Sequence, residues 1–164
     1  MTQTTYNTQA PLAFAGLLGD PNKDAYIRSM TNEDAAVAPF GLGYAEGTDP
    51  AVQFAAFSGA GVFAGILAHR HQTQVRAQFG PGGTLGTTGI QENEVGDIVT
   101  KGRVWVEVDE AVTAGGAVFV RHTTADIGKF RTDIDGGDAQ EVLGAVFRST
   151  TAGAGLALVE LNTP

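Results

Sequence analysis

The sequence predicts an all-β protein: a small β-sandwich or barrel body carrying an extended, mostly irregular N-terminal arm. Three observations carry that prediction. Charged side chains make up only 17% of the 164 residues while 23 glycines are spread among them, a turn-rich texture unlike a helical bundle. From Ala51 onward, short apolar runs are separated by glycine or polar turns. Before it, Pro11, Pro21, Pro39 and Pro50 punctuate a stretch with no long periodic run of either kind.

Residues 1–50 therefore read as an arm or a set of extended passes, because each proline removes a backbone donor and biases its predecessor toward extended conformations. LAFAGLL at 12–18 and AYIRSM at 25–30 supply apolar groups that need a surface to bury against. Phe14, Leu17, Leu18, Tyr26 and Ile27 are accordingly the candidate inter-subunit contacts of the arm.

Residues 51–164 form the body of what is a single domain overall. Its candidate strands are AVQFAAF, GVFAGILAH, HQTQVRAQF, DIVTKG, RVWVEV, AVFVRH, EVLGAVFRS and GLALVEL, a number and spacing that fit a sandwich or barrel. Loops are expected at 80–89 and 132–138, where glycine, threonine and aspartate cluster. Only 24–30 and 137–146 admit a helical reading, and Gly144, Val146 and Phe147 oppose the second.

RVWVEV alternates cleanly, with Val104, Val106 and Val108 on one face and Arg103, Trp105 and Glu107 on the other. The only tryptophan thus lies on the face that should be wet. Either a second layer of the chain covers Trp105 or the ring meets a neighbour, which makes it a possible interface residue. Gly115-Gly116 would turn the chain so that AVFV pairs back, with Val112 opposite Phe119 and Glu110 opposite Arg121. That register continues poorly into Val108, so either a bulge near Asp109 is expected or the two strands part company.

Composition also excludes. Without cysteine there can be neither a disulfide nor a thiolate metal site. A net charge of −8 with no basic patch argues against a nucleic-acid partner. The uncharged stretch 50–68 is too broken by glycine to span a membrane, and no basic start precedes an apolar core as secretion would require.

Nothing in the sequence calls for a cofactor or an enzyme. GLGYAEG at 41–47 and GAGVFAG at 59–65 are one residue too long for the dinucleotide fingerprint, and GPGGTLGTTG lacks the Lys-Ser/Thr ending of a phosphate loop. His69 and His71 could share a metal across one strand face, yet Arg70 lies between them and His122 is the only other histidine. DIDGGD at 133–138 places an aspartate where a calcium loop needs glycine. Ser29, Ser58 and Ser149 stand in no nucleophile turn, and the carboxylate pairs Glu92/Glu94 and Glu107/Asp109 read first as solvated faces. A binding module remains the alternative: a carbohydrate-binding or host-adhesion β domain in which Trp105, Tyr44 and Phe79 would stack on sugars.

Four segments taken together resemble one family. AGLLGDPNKDAYIRSMTNEDAAVAPFGLG at 15–43, VFAGILAH at 62–69, VGDIVTKGRVWVEVDEAVTAGGAVFVRHT at 95–123 and AGAGLALVELN at 152–162 follow one another as in the structural cement, or head decoration, proteins of tailed bacteriophages. Gly115-Gly116 stands where the family often has Gly-Asp. The resemblance implies a β-rich body with an extended arm on the outer surface of the virion capsid. It also implies the major capsid protein as partner, homotrimers at threefold or quasi-threefold positions, and synthesis in the host bacterial cytoplasm.

Overall fold

The structure, a computed structural model, describes residues 13–19, 25–59, 61–69, 89–123 and 126–162. Its strands are β1 (Tyr26–Asn32), β2 (Ala38–Pro39), β3 (Gly43–Glu46), β4 (Gln53–Ala56), β5 (Phe63–Ala68), β6 (Gly89–Ile90), β7 (Val95–Val108), β8 (Ala117–Arg121), β9 (Phe130–Arg131), β10 (Ala139–Phe147) and β11 (Gly155–Asn162). One 3-10 turn, Asp135–Gly137, is the only helical element among the described residues. The fold class is the all-β one expected from the glycine-rich, run-and-turn texture.

Nine strands form a sheet that closes on itself twice, both times through β7. In the first ring β7 pairs with β1, β1 with β4, β4 with β3, β3 with β5, and β5 with β7 again. In the second, β7 pairs with β11, β11 with β10, β10 with β8, β8 with β9, and β9 returns to β7. Closure removes the free edges that an open sheet would present. The short ribbon of β2 and β6 lies apart, with Ala38 opposite Ile90, and both residues join the core of the first ring.

β7 can serve two rings because it is long and bent. Its first half, to Lys101, pairs with β1 and β5, and Lys101–Val108 pairs with β11. At the junction the ladder to β1 carries an irregularity between Tyr26 and Ile27, and Gly102 adopts φ +120°. An L side chain rarely takes that conformation, so glycine here marks the bend. The alternating faces of β5 and β7 then feed two cores. Leu67 and Ile98 join Met30, Tyr44 and Phe54 in the first, while Ile66, Ala68 and Val99 join Val104, Val106 and Phe147 in the second.

The sequence expectations fare differently against this architecture. β1 and β3 share the core of the first ring with β4 and β5, so Pro39 falls in the short strand β2 and Pro50 in the exposed turn between β3 and β4. The two segments that admit a helical reading are β1 and β10, held by long-range ladders, in keeping with the little helix expected. The expected hairpin does not form, because β8 pairs with β10 and β9. Val112 instead bridges Thr151, Arg121 lies beside Asp109 and Asp135, and β7 simply ends at Val108. DIVTKG and RVWVEV are one strand. HQTQVRAQF lies outside the described residues.

Candidate functional site

The candidate contact residues fall on a strap and on the start of β1. Residues 16–19 run antiparallel to the second half of β7: Gly16 N–H donates to Trp105 O at 2.7 Å, Trp105 N–H to Leu17 O at 2.8 Å, and Gly19 N–H to Arg103 O at 2.7 Å. On its other side Gly16 O accepts from His69 N–H at 2.9 Å, at the end of β5. The strap therefore fills the seam between the two rings. Gly16 is required there: its φ is +81°, and a Cβ would sit 2.7 Å from His69 N. Phe14 meets the His69 ring edge-on with centroids 5.0 Å apart, and Phe40 meets the same imidazole at 4.6 Å. Burial pushes the His69 pKa down.

Not every candidate is turned outward. Leu18 and Ile27 pack against the second core, so both have partners within the chain. Leu17 is half-buried, whereas Phe14 and Tyr26 remain exposed, at 39% and 64%. Val52, Val62, Val95 and Leu143 are exposed apolar residues that the sequence offered no reason to single out, because each lies within an ordinary strand or turn pattern.

Trp105 is half-buried on the outer face of the second ring. The ladder places it opposite Leu158 of β11, with Glu107 opposite Leu156 and Arg103 opposite Glu160. Gly19 rests on this face, since a Cβ there would collide with Leu158 Cδ1 and lie 3.2 Å from Arg103 Cβ. The strap thus covers the edge of β7 at Trp105 and touches its outer face at the neighbouring rung. For sugar stacking, Tyr44 is out of reach: it is buried in the first core with its hydroxyl donating to Pro39 O at 2.8 Å. Phe79 and His71 lie outside the described residues.

Two ion networks, invisible to residue spacing, frame the second ring. Arg103 and Arg148 both donate to Glu160, from Arg103 Nε at 2.5 Å and from Arg148 Nε at 3.1 Å, tying β7, β11 and the end of β10. Arg148 and then Arg103 hold the Glu160 carboxyl down at about 2, from 4.5. Because the folded value lies below the unfolded one, this stabilisation is complete above about pH 4.5 and is lost as the pH falls toward 2. The full shift corresponds to about 3 kcal/mol, but solvent screening at this rim reduces it to about 1 kcal/mol. Glu160→Gln should therefore unfold earlier in denaturant at pH 7 by about 1 kcal/mol, with the gap to the parent closing on acidification toward pH 2. A gap that is constant with pH contradicts the assignment.

The second network lies where the ring closes. Arg131 reaches Asp135 at 2.7 Å, Asp133 at 3.0 Å, Glu110 at 3.3 Å and Asp109 at 3.6 Å, while Arg121 binds Asp109 at 2.8 Å and Asp135 at 2.7 Å. The DIDGGD carboxylates Asp133 and Asp135 thus face guanidinium groups. Among the described residues no group of three histidine or carboxylate side chains is arranged to hold a metal ion. What the surface offers is shape, apolar contact and charge.

Comparison with known proteins agrees with the architecture. No curated protein matches the chain. A chain from the solved capsid of Myoviridae phage XM1 shares the fold, with a TM-score of 0.71 at 19% identity over 98% of this chain and 97% of that one. The profile of the family described as structural cement protein (E217 gp24/Pam3 gp6) matches residues 2–162. With its ordered segments, two-ring β body and near-complete match, this chain belongs to the phage structural cement protein family.

Proposed function

We propose that the protein binds the outer surface of an assembled tailed-phage capsid, bridges neighbouring major capsid subunits and stabilises the shell against DNA pressure, as homotrimers at threefold or quasi-threefold positions. The family match over residues 2–162 is the observation that carries the reading. The capsid origin of the structural neighbour agrees with it. Its location is then the virion exterior, after synthesis in the host cytoplasm.

Physically, cementing is linkage. A protein that binds only the assembled shell stabilises it by RT ln(1 + [L]/Kd), about 2.7 kcal/mol per site at a hundredfold excess over Kd. Each large apolar side chain buried at the contact adds roughly 1.5–3 kcal/mol before ordering costs. The exposed Tyr26 and Phe14, with half-buried Leu17 and Trp105, are the side chains available for such burial. Leu18 and Ile27 act through them, by fixing the strap and β1 to the core.

Truncation through residue 30 would remove β1 from the first ring, so point substitutions are the cleaner test. Tyr26→Asp combined with Leu17→Asp should lower co-sedimentation with capsids lacking the protein by tenfold or more, about 1.4 kcal/mol or greater. Undiminished binding by a folded double variant contradicts the contact assignment. Trp105→Ala discriminates similarly: loss of the monomer's fold marks Trp105 as internal packing, and a folded variant that no longer assembles marks it as interface.

A further inference from the structure

Charge is distributed unequally between the two rings. No lysine or arginine occurs between residues 29 and 68, or between 77 and 100, although this is the sequence that builds most of the first ring. Its loops gather acids at one end. Asn32 N–H donates to Glu94 O, Thr48 N–H donates to Glu33 Oε2, and Thr31 bonds Val52 O while pairing with Val95, which brings the loops 33–37, 47–52 and 91–95 together. Glu33, Asp49, Glu92 and Glu94 belong to these loops together with Val52 and Val95, which are 51% and 57% exposed, and among the described residues the cation that reaches them is Arg28, whose guanidinium donates to Pro50 O and Ala51 O and pairs with Glu46 at 3.6 Å.

The outer face of the second ring has the opposite character. Trp105 and Leu158 form its apolar middle, flanked by Arg103, exposed Lys101 and Arg148. Glu160 is shared by two of those cations and Glu107 follows Trp105 on the same face, so three cations meet two carboxylates and the patch keeps one excess positive charge in a chain of net −8. Nine residues of β7 lie between Val95, at the acidic end, and Trp105 on the basic face. They are different surfaces of one molecule, each apolar at the centre and opposite in sign at the rim.

We propose that the acidic end of the first ring in one copy docks on the Trp105 face of a second copy of this chain. The inference rests on the homotrimer reading and specifies its contact. Two unlike surfaces make a head-to-tail interface, which closes into a ring when successive copies turn by a third of a circle. Opposite rims fix the register and steer the encounter, while Val52 and Val95 against Trp105 and Leu158 supply apolar burial.

Sedimentation velocity of the full chain over a concentration series tests the contact. Lys101→Glu and Glu92→Lys alter exposed side chains, one on each surface, so both variants should melt like the parent. Each single change should raise the self-association constant for dissociation about tenfold, and adding about 0.5 M salt should weaken the parent in the same direction. The double variant should return to within about twofold of the parent. A parent that stays monomeric, singles that associate normally, or a double variant as weak as the two singles combined overturns the proposal. Capsid co-sedimentation of the same variants keeps the two readings separate: retained capsid binding with unaltered self-association rejects this contact alone, and lost capsid binding by every chain including the parent rejects the cement reading.

Discussion

Arg131→Ala is expected to destabilise the protein by about 3–5 kcal/mol, lowering the melting temperature by roughly 10 °C. The physical reason is where the guanidinium lies. β9 returns to β7 through a single parallel pair, Val108 with Phe130, supported by Asp109 N–H donating to Phe130 O at 3.3 Å. So little backbone pairing cannot by itself hold a ring shut. Arg131 stands directly beside that pair, only 8% exposed, and spans carboxylates from two segments: Asp109 and Glu110 after β7, and Asp133 and Asp135 after β9. Glu110 is fixed in turn by Thr132, whose N–H and hydroxyl both donate to its Oε1 at 2.7 Å. Removing the cation leaves Asp109 and Asp135 to Arg121 alone and takes the guanidinium partner from Glu110 and Asp133. Arg131→Lys keeps the charge but not the planar fork, so its loss should be intermediate. Chemical denaturation at neutral pH reads all three chains, and an alanine variant within 1 kcal/mol of the parent means the seam is held by packing alone.

Asn32→Ala should be nearly as damaging, at about 3 kcal/mol. Asn32 is fully buried at the end of β1, and its amide nitrogen donates to Ala36 O at 3.0 Å, Ile90 O at 3.2 Å and Asp34 O at 3.3 Å. Its Oδ1 accepts from Asp34 N–H at 3.1 Å. One side chain thereby ties β1, the loop 33–37 and β6, and truncation leaves buried carbonyls without donors. Asn32→Asp tests this more sharply. The shape is preserved, but an oxygen replaces the donating nitrogen and would face three carbonyls, so the aspartate variant should be less stable than the alanine one. If asparagine merely fills space here, the order reverses.

How far the sequence foretells this structure differs between its parts. Period-two alternation in RVWVEV marks the inner face of β7 correctly, because Val104, Val106 and Val108 are buried whichever strand lies alongside. The partner of a strand is another matter. Gly115-Gly116 does turn the chain, with Gly116 N–H donating to Thr113 O, but β8 then goes to β10 across the ring. Local turn chemistry has no information about closure. β1 and β3 are hidden for a related reason: YIRSMTN and GYAE show no clean alternation, and their place comes from ladders to residues far along the chain.

The candidate site was legible in its position and not in its orientation. An apolar strap around residue 17 needing a surface follows from LAFAGLL, yet that this surface includes the seam of its own body depends on Gly16 fitting between His69 and Trp105. Trp105 was identifiable as an outward aromatic because Arg103 and Glu107 flank it. The shared carboxylate of Glu160 and the closing network around Arg131 could not be read, since they join residues whose separation in sequence has no fixed period.

The shared strand also orders events during synthesis. Every strand of the first ring other than β7 precedes residue 69, every other strand of the second follows residue 116, and β7 lies between them. A chain leaving the ribosome can therefore close its first ring once β7 has emerged, before any remaining strand of the second exists. The free half of that newly anchored strand is then a template, already fixed at one end, on which β11 must arrive last to complete both ladders.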